Sequence, residues 1–507
     1  MTNWVAAKAT RLFLLFHVLV YVASHPDLGK PSIVSNSAAS IDSKAYRRRP
    51  QLVPRRGHYL FTRWPLSPEY PNAVTGGTTP SVGSSTGATY NVLDYGADPT
   101  AKRDSHQAIQ HAINDAQQQL WNETSVAGNV EVSLAGGTYL ISSSLWFQRA
   151  PRGFTAGRLS FRDGALVAGW TDTEQQKYLM QGNFDSVDIA NLNLDAQHRG
   201  GCVHMFSHLQ VTVTNVFFSH FSTVGLRTGT GHELLMDTCN FEEYPFRDDK
   251  YGLNHTLTGT ALQVGSSDNE FWNTVIKCCK LGISTEGLNT FAALHLWPDC
   301  ANFTLPSFSM VVGRSTRIWG SYMDGSGVLV TNPYQVHITD TWFKGPQGGV
   351  TVQVNGSRSD PTADSTVEDV RIWGNTFHCT TEGCPRLQTQ AYQPGMNLTL
   401  QDVQIRDNYF DNNTQITGTF CEQSLIGNFT VFVLDFRDRL LFPVPICTCM
   451  VQYSFQLLDD PAHAGTIHHH ILPSQGWSDL RVAVRTQPGA PVYGRVTASV
   501  DQSSCIV

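Results

Sequence analysis

Three carboxylates stand at the ends of predicted strands, where a side chain can reach a bound molecule. Asp195 closes an alternating segment that starts at Val187, Glu233 directly precedes another, and Asp268 ends a third that starts at Ala261. Hydrolysis of a glycosidic bond requires a carboxylic acid that protonates the leaving oxygen and a carboxylate that activates water or attacks. The pattern therefore predicts an acid–base cluster, with Asp195, Glu233 and Asp268 as catalytic candidates.

The separation of these carboxylates depends on how the strands stack. Stacked parallel strands lie about 4.8 Å apart, so two steps separate side chains by about 9.6 Å. That is the upper edge of the separation of roughly 6.5–9.5 Å in inverting glycosidases, and adjacent strands would give a closer pair. We expect three coils to place the groups on one lateral face, where Asp237 could join them. The competing interpretation for each residue is a solvated turn side chain that caps its own backbone.

Two basic side chains near the carboxylates are candidate substrate-binding groups. His232 could hold a sugar hydroxyl or tune a carboxylate, and Arg199 could pair with a uronate carboxylate in a bidentate fork. The competing interpretations are a surface histidine and a salt bridge from Arg199 to Asp195. No nearby pattern of Asp, Glu or Cys completes a metal site at His468-His-His470, so we predict neither a metal nor a cofactor.

A repeated phrase indicates the elements that must position these groups. It consists of a short alternating segment, a polar turn residue and an aromatic, and its strong copies begin at Val336, Val370 and Val403. The aromatic positions of these copies and of two weaker ones are Phe343, Phe377, Phe410, Phe218 and Phe241. A β unit that recurs every 20–35 residues or so is typical of a parallel β-solenoid. Each coil of such a solenoid buries its apolar face against its neighbours.

Five tryptophans in the repeat region are candidate platforms for a sugar ring. They are Trp272, Trp297, Trp319, Trp342 and Trp373. Trp342 has the same place relative to the repeat as Tyr409, which favours the interpretation that it is a stacked repeat residue.

Composition and charge favour a secreted all-β protein. Only 15% of the 507 residues are charged, and the strand phrases are rich in Val, Ile, Thr and Phe. The net charge is −7, but residues 1–56 carry +7, so the remainder carries −14. This acidic balance argues against a nucleic-acid partner, which would need a broad basic face. It also means that a polyanionic substrate would need a local cluster of basic groups.

The amino-terminal region has the features of a secretory leader followed by an unfolded arm. Lys8 and Arg11 precede a short apolar run, which predicts a signal peptide over residues 1–24, with an uncleaved signal anchor as the alternative. Residues 25–88 are rich in Ser, Pro and Gly and form a predicted linker or pro-segment. Arg56 ends a basic run, so the arm is either cleaved there or simply disordered.

Sequons and cysteines support the secretory route. The chain has seven Asn-x-Ser/Thr sequons, at Asn122, Asn254, Asn302, Asn355, Asn397, Asn412 and Asn428. Its 11 cysteines predict local disulfides in an oxidising compartment, with at least one thiol left over. Cys379 lies close to Cys384, and adjacent Cys278 and Cys279 are expected to have different partners. We therefore predict an extracellular glycoprotein with disulfides.

Order is predicted from Tyr90, and the opening segment follows a known pattern. Tyr90–Ala97 is a strand that ends in a Gly turn, Asp104-Ser105 is an N-cap before an Ala/Ile helix, and Leu134-Ala-Gly-Gly-Thr-Tyr-Leu-Ile141 is a turn with a strand. This segment resembles the rhamnogalacturonase and epimerase type of entry domain in the pectate-lyase-like superfamily. The resemblance implies a right-handed single-stranded parallel β-helix whose open end is covered by the helix.

Further along, the chain is similar to the divergent QUARTET-type plant polygalacturonases over about residues 90–502. The matching pieces are Leu194-Asp-Ala-Gln-His-Arg-Gly-Gly201, Gly231-His-Glu233, Gly259-Thr-Ala-Leu-Gln-Val-Gly-Ser-Ser-Asp-Asn269, Val451-Gln-Tyr-Ser-Phe455 and Val496-Thr-Ala-Ser-Val-Asp-Gln502. Ordinary polygalacturonases carry Asn-Thr-Asp, Asp-Asp, Gly-His-Gly and Arg-Ile-Lys in that order. Here Asp248-Asp249 follows Gly231-His232, and Arg371-Ile is followed by Trp, so that active site is not carried over.

These observations predict an all-β chain with a parallel β-helix over residues 89–430 and a small β cap over residues 431–507. The resemblance implies a secreted, monomeric glycoside hydrolase of the cell wall that cleaves an acidic, galacturonate-like polysaccharide by inversion. Two alternatives stay open. One is a polysaccharide lyase of the same fold, and the other is a non-catalytic glycan-binding solenoid of the wall or matrix.

Overall fold

The computed structural model describes most of the chain from residue 87 onwards. The described residues are 87–122, 128–151, 157–170, 177–244, 257–297, 308–325, 327–346, 348–355, 365–380, 383–390, 398–411, 418–442, 451–458, 468–472, 481–487 and 491–503. The predicted signal peptide, residues 25–86 of the predicted linker, and Asp248-Asp249 lie outside them. Within the described segments, no helix has the length and apolarity needed to cross a bilayer.

The solenoid is one parallel sheet of 29 strands in the described residues, wound into successive coils. Its strands are β1 (Thr89–Asn91), β2 (Thr100–Asp104), β3 (Val130–Ser133), β4 (Thr138–Ile141), β5 (Leu145–Phe147), β6 (Leu159–Ala168), β7 (Tyr178–Asp185), β8 (Val187–Asp195), β9 (Gly201–Ser219), β10 (Val224–Asp237), β11 (Asn240–Glu242), β12 (Thr260–Val264), β13 (Asn269–Trp272), β14 (Val275–Lys277), β15 (Leu281–Thr285), β16 (Asn289–Ala292), β17 (His295–Trp297), β18 (Phe308–Val312), β19 (Thr316–Trp319), β20 (Tyr322–Asp324), β21 (Gly327–Thr331), β22 (His337–Thr339), β23 (Trp342–Lys344), β24 (Gly349–Gln353), β25 (Ser365–Trp373), β26 (Thr376–His378), β27 (Arg386–Gln390), β28 (Leu398–Arg406) and β29 (Tyr409–Phe410). The predicted parallel β-helix is confirmed.

Each coil crosses three faces, and each face contributes a buried ladder of side chains to the core. The ladder of face A is Ile189, Val213, Met236, Phe271, Phe291, Ile318, Ile338, Ile372 and Ile405. The ladder of face B is Leu194, Phe218, Phe241, Ile276, Leu296, Met323, Phe343, Phe377 and Phe410. The ladder of face C is Met180, Val203, Leu226, Leu262, Ile283, Met310, Val328, Val350 and Leu387. The chain runs from A to B to C, so each coil has an AB, a BC and a CA corner.

The polar turn residue of the repeat forms the AB corner. Asp340, Gly374 and Asp407 have φ values of 50°, 67° and 56°, a left-handed conformation that Gly and Asp adopt more readily than most residues. Behind this corner, buried Asn375 donates a side-chain hydrogen bond of 3.0 Å to Asn408 on the next coil. The corner therefore turns sharply without leaving its polar groups unsatisfied.

The aromatic residue of the repeat points into the core and stacks on its equivalents. The ring centroids of Phe218 and Phe241 are 4.2 Å apart, those of Phe343 and Phe377 are 5.1 Å apart, and those of Phe377 and Phe410 are 4.5 Å apart. In all three pairs the rings are within 15° of parallel. These stacks couple each coil to its neighbours through the core.

A single described α-helix, α1 (His106–Asn122), covers the first coil, as predicted. Its buried side chains include Ile109, Ala112 and Ile113, and it packs against β1, β3 and β5. The Asp104 carboxylate accepts a hydrogen bond of 3.1 Å from the His106 N–H at the start of the helix. The helix therefore shields an apolar core that would otherwise face water.

The other end of the chain forms two small antiparallel sheets. Their strands are β30 (Phe420–Phe429), β31 (Val431–Asp435), β32 (Val451–Leu457), β33 (His468–Leu472), β34 (Arg481–Gln487) and β35 (Val492–Asp501). One sheet has the order β30-β35-β32 and the other β31-β34-β33, with a separate core that includes Phe432, Val484 and Val496. Because β30 starts at Phe420, the antiparallel part begins before the predicted boundary at residue 431.

Among the described cysteines, one predicted local disulfide is confirmed and the predicted pairing of Cys279 is not. Cys379 and Cys384 form a disulfide. Cys278 is also in a disulfide, whereas its neighbour Cys279 is a buried free thiol. The two adjacent cysteines therefore differ in state, but the expectation that each has its own partner is not met, because Cys279 is a free thiol.

Candidate functional site

The predicted site residues fall at two different corners of the solenoid. Asp195 ends β8 on face B, and Arg199 lies in the BC corner that follows it. The other predicted site residues lie at the CA corner and are His232, Glu233 and Asp268. The extended segment Gly201–Leu209 separates these corners and covers roughly 25 Å at about 3.3 Å per residue. Asp237 is on face A, where it accepts a hydrogen bond of 2.9 Å from Asn273. The expectation of one shared lateral face is therefore wrong.

At the CA corner, Glu233 and Asp268 occupy equivalent positions on adjacent coils. The Glu233 N–H donates to the Asp268 carbonyl at 3.0 Å, and their φ values are 64° and 58°. Ser315 and Gln335 occupy the same position in later coils and also have a left-handed backbone conformation. That conformation is therefore a feature of the corner itself. His232 Nδ1 is 3.5 Å from the Glu233 carboxylate, and both side chains are about half exposed. These features match the competing interpretation of solvated turn residues.

Asp195, at the BC corner, is held by several polar contacts. Its Oδ1 accepts a hydrogen bond of 2.9 Å from the Gln197 backbone N–H and is 2.8 Å from Nδ1 of His220 on the next coil. The Gln197 side chain donates to its other oxygen. Burial raises the pKa of Asp195, but the hydrogen bond and positive charge of His220, with the Gln197 contacts, lower it by more. The pKa is therefore below its ordinary value, which keeps Asp195 a carboxylate in mildly acidic solution.

The orientation of His220 is fixed by the aromatic side chains around it. His220 is buried and has a φ of 50°. Its ring lies 4.8 Å from the ring of His198, which in turn lies 5.5 Å from the ring of Tyr244. The His220 backbone N–H donates to the Glu242 carbonyl at 3.1 Å. This packing directs the His220 imidazole towards Asp195.

A second carboxylate lies two coils away from Asp195. Strand register aligns Asp195 with Ser219 and Ser219 with Glu242, so the two acidic residues are about 9.6 Å apart along the ladder. The Glu242 side chain is partly exposed and lies 3.0 Å from Nζ of Lys277. This spacing is at the upper edge of the range for an inverting pair.

Glu243, the next residue, has a different environment. It is buried, and its oxygens accept hydrogen bonds from the backbone N–H groups of Thr258 at 2.6 Å, Gly259 at 2.8 Å and Lys280 at 3.3 Å. Burial raises its pKa, while these donors lower it, and the net pKa is raised. Because both oxygens are occupied by backbone donors, Glu243 anchors the chain around residues 258–280 and does not face a substrate.

Sequence reasoning missed His198, His220, Glu242, Glu243 and Tyr244. A signal for some of them was nevertheless present in the weaker repeat copies. Aligning the core aromatics Phe218 and Phe241 aligns the residues that follow them, which are Ser219-His220 and Glu242-Glu243. Polar residues at matching offsets after a buried aromatic therefore mark the BC corner.

Arg199 does not form the salt bridge to Asp195 that was one of its two interpretations. Its Nη1 donates a hydrogen bond of 2.7 Å to the Trp170 carbonyl, and the Trp170 indole N–H donates one of 2.8 Å to the Arg199 carbonyl. In the part of the chain that the structure describes, no ion pair joins Arg199 to Asp195. The reciprocal bonds fix this arginine beside the BC corner, where substrate binding by its guanidinium stays a prediction.

Face C next to the BC corner presents an aromatic and basic surface. The His204 ring lies 4.9 Å from Tyr178 and 4.5 Å from Phe206, and Trp146 lies 5.7 Å from Phe206. Arg227, exposed on the next coil, aligns with His204. Burial and, to a lesser degree, Arg227 lower the pKa of His204 to about 4. A neutral imidazole and a guanidinium therefore stand beside flat apolar rings.

His204 makes the stability of the fold sensitive to acid. An unfolded histidine titrates near pH 6.5, whereas the pKa of folded His204 is about 4. Between these values the unfolded chain binds a proton that the folded chain excludes, so stability falls as the pH drops from about 6.5 towards 4. We expect the melting temperature to fall further between pH 7.5 and pH 5 in the wild type than in His204→Gln. Equal losses in the two proteins would contradict this assignment.

Within the described ranges, no group of three or more His, Cys, Asp or Glu side chains is arranged to hold a metal ion. His468–His470 form the start of β33 in the carboxy-terminal sheets. The groups at the BC corner are suited to acid–base chemistry and to hydrogen bonding with hydroxyls.

Comparisons with known proteins agree with the architecture. Residues 89–154 match the family model described as rhamnogalacturonase A/epimerase, pectate lyase-like. The chain is 28% identical over 431 residues to polygalacturonase QRT3 of Arabidopsis thaliana, which covers 82% of this chain and 84% of that protein.

Two solved structures have lower similarity. A mutant tailspike protein of E. coli bacteriophage HK620 is 10% identical, covering 82% of this chain and 93% of its own, with a TM-score of 0.40. The A-module of the Azotobacter vinelandii mannuronan C-5 epimerase AlgE4 is 16% identical, covering 63% and 95%, with a TM-score of 0.37. The capping segment is therefore similar to the pectate-lyase-like family model, and most of the chain is similar to polygalacturonase QRT3.

Proposed function

We propose that this chain is a secreted glycoside hydrolase of the cell wall that cleaves an acidic, galacturonate-like polysaccharide by inversion. The similarity to a polygalacturonase over most of both chains supports a pectin-active hydrolase. Secretion rests on that similarity and on the predicted signal peptide. The polysaccharide is the expected partner, and the protein is expected to act as a monomer.

The observation that carries the proposal is the environment of Asp195. A neighbouring histidine at 2.8 Å and the Gln197 N–H stabilise its carboxylate form. A carboxylate held in its charged form is suited to remove a proton from an attacking water. We therefore assign Asp195 the role of general base.

The acid in this scheme is Glu242, on the coil two steps away. Once its contact with Lys277 opens and it takes up a proton from solvent, Glu242 donates that proton to the glycosidic oxygen as the bond to the anomeric carbon breaks. The water activated by Asp195 attacks the anomeric carbon from the other side. A separation of about 9.6 Å leaves room for that water. The aromatic surface of Trp146 and Phe206, with Arg227, is the adjoining surface on which a uronate-containing chain would lie.

The proposal is tested by measuring reducing ends released from polygalacturonate, with absorbance of unsaturated products followed in parallel. We expect reducing ends without ultraviolet absorbance. Glu242→Gln should lower kcat by about 100-fold or more, as for loss of a general acid. Glu243→Gln is the matched control and should mainly lower the melting temperature, because Glu243 anchors backbone. Unsaturated products would identify a lyase instead.

A non-catalytic glycan-binding solenoid is the second candidate. It is favoured by the absence of the ordered polygalacturonase motifs from the sequence. This candidate predicts a folded protein that retains polygalacturonate in an affinity gel but releases no reducing ends from any pectic or neutral polysaccharide. The same assay panel therefore separates the two functions.

A further inference from the structure

The outward side of face B carries an aromatic surface that the proposed active site does not use. It lies on β17, β20, β23, β26 and β29, which are consecutive coils beyond Glu242. This surface, the B strip, consists of His295, Trp297, Tyr322, Asp324, Trp342, Lys344, His378, Tyr409 and Asp411. It contains two of the tryptophans that sequence analysis selected as candidate sugar platforms.

The aromatic residues of the B strip are exposed although the core beneath them is complete. Trp297, Trp342 and Tyr409 are 37%, 41% and 62% exposed. Their strand neighbours Phe343 and Phe410 point inward and are buried in the core. The exposed rings therefore add nothing to the interior, and an ordered run of exposed apolar rings is typical of a binding surface.

Contacts within the B strip hold its rings in fixed orientations. The Tyr322 ring lies 4.9 Å from His295 and 6.0 Å from Trp342, and Trp342 lies 5.7 Å from His378. All three contacts are edge-to-face, with interplanar angles of 69°, 85° and 81°. Rings fixed in this way lose little freedom when they bind a ligand.

The two carboxylates of the B strip each contact a neighbouring group of the strip. Asp324 accepts hydrogen bonds of 3.1 Å from both Nζ of Lys344 and the Tyr322 hydroxyl, and His378 forms an ion pair with Asp411. With His378 as the partner of Asp411 and Lys344 as the partner of Asp324, the strip has no excess of positive charge. It therefore offers no net attraction to a polyuronate, whereas hydroxyl groups can donate to carboxylates and accept from an ammonium.

The length of the B strip determines the size of its ligand. Five consecutive coils at about 4.8 Å per step cover roughly 19 Å along the solenoid axis. A single sugar would occupy only part of that length. A linear polymer lying parallel to the axis would meet an aromatic or polar side chain at every coil.

We infer that the B strip binds a linear, neutral, hydroxyl-rich polysaccharide, with its aromatic rings against the C–H faces of the sugars and its paired charges at the hydroxyls. The B strip continues the ladder of outward positions that contains Asp195 and Glu242 and begins two coils beyond Glu242. Its binding does not depend on the proposed hydrolysis. It would attach the protein to a neutral polymer while the BC corner faces a different, acidic one.

Affinity gel electrophoresis of the full chain tests this inference, with hydroxyethylcellulose, xylan or galactan in the gel and polygalacturonate as the anionic comparator. We expect at least one neutral polymer to retard the wild type, with little change at high salt because no net charge attraction is involved. The double variant Trp342→Ala, Tyr409→Ala should bind at least 10-fold more weakly. Trp319→Ala is the matched control, because Trp319 is 43% exposed but lies on face A.

Three outcomes would overturn the inference. The first is no retardation by any of the neutral polymers. The second is an equal loss of retardation in Trp319→Ala, which would indicate nonspecific contact. The third is a double variant that loses affinity for polygalacturonate alone. Melting temperatures of the variants establish that they are folded, and reducing-end release by the double variant reports on the BC corner separately.

Discussion

Asp195→Asn is expected to lower the rate of reducing-end release from polygalacturonate by about 10²–10⁴-fold, the usual contribution of a general base. The amide cannot accept a proton from water, which is the role assigned to the carboxylate. It still offers an oxygen to the Gln197 N–H and to His220, which bond the carboxylate at 2.9 and 2.8 Å in the wild type. The variant should therefore fold with a melting temperature close to that of the wild type.

The controls for this experiment are the carboxylates at the CA corner. Glu233→Gln and Asp268→Asn change exposed side chains on adjacent coils at the CA corner. The extended segment Gly201–Leu209 separates this corner from Asp195. We expect both variants to keep most of the activity. If either loses as much as Asp195→Asn while remaining folded, the acid–base pair belongs at the CA corner, where adjacent coils about 4.8 Å apart would bring the two carboxylates close to a retaining separation.

His220→Gln separates positioning from catalysis at the BC corner. Gln can keep a hydrogen bond to Asp195 but cannot supply a positive charge. Because the charge of His220 helps to lower the pKa of Asp195, the acid limb of the kcat profile should move to higher pH in this variant. A purely structural histidine would change the melting temperature and leave that limb in place.

The solenoid and its end cap could be predicted because both depend on short-range patterns. The repeat places an αL-tolerant residue three positions before a buried aromatic, as in Asp340 and Phe343. The capping helix has Ile109, Ala112 and Ile113 on one side. These periodicities follow from local backbone geometry, so a single sequence contains them.

The grouping of the site residues could not be predicted in the same way. A strand end in this fold can lie at any of three corners, and the long strands β9 and β10 each cross from face C to face A. The sequence shows Asp195 directly after an apolar alternating run and Glu233 directly before another. It does not show that a full crossing of face C separates them.

Local sequence patterns also do not predict which residues contact Asp195. His220 follows Asp195 by 25 residues, and its approach depends on the register of one coil on the next. Its left-handed backbone conformation is uncommon for a non-Gly residue, although His is among the types that adopt it. The register between coils is set by packing in the assembled core. In the sequence, its one indication near His220 is the alignment of Phe218 with Phe241.

Phe377→Ala is expected to destabilise the solenoid by about 3–5 kcal/mol, the usual cost of deleting a fully buried aromatic ring. Phe377 lies between Phe343 and Phe410, with ring centroids 5.1 and 4.5 Å away. Its removal leaves a cavity and also breaks two stacked contacts. Because each coil is stabilised by its neighbours, the loss should extend beyond the mutated coil.

Chemical denaturation, with amide hydrogen exchange on the same protein, measures this effect. Protection should fall in β23, β26 and β29 more than in β8 and β9, since stability in a solenoid is passed between adjacent coils. Tyr409→Ala is the matched control, because it removes an aromatic ring of similar size from the outward side of the same region. It should cost no more than about 0.5 kcal/mol, as for most exposed positions. Similar losses in both variants would show that the inner aromatic stack does not couple the coils.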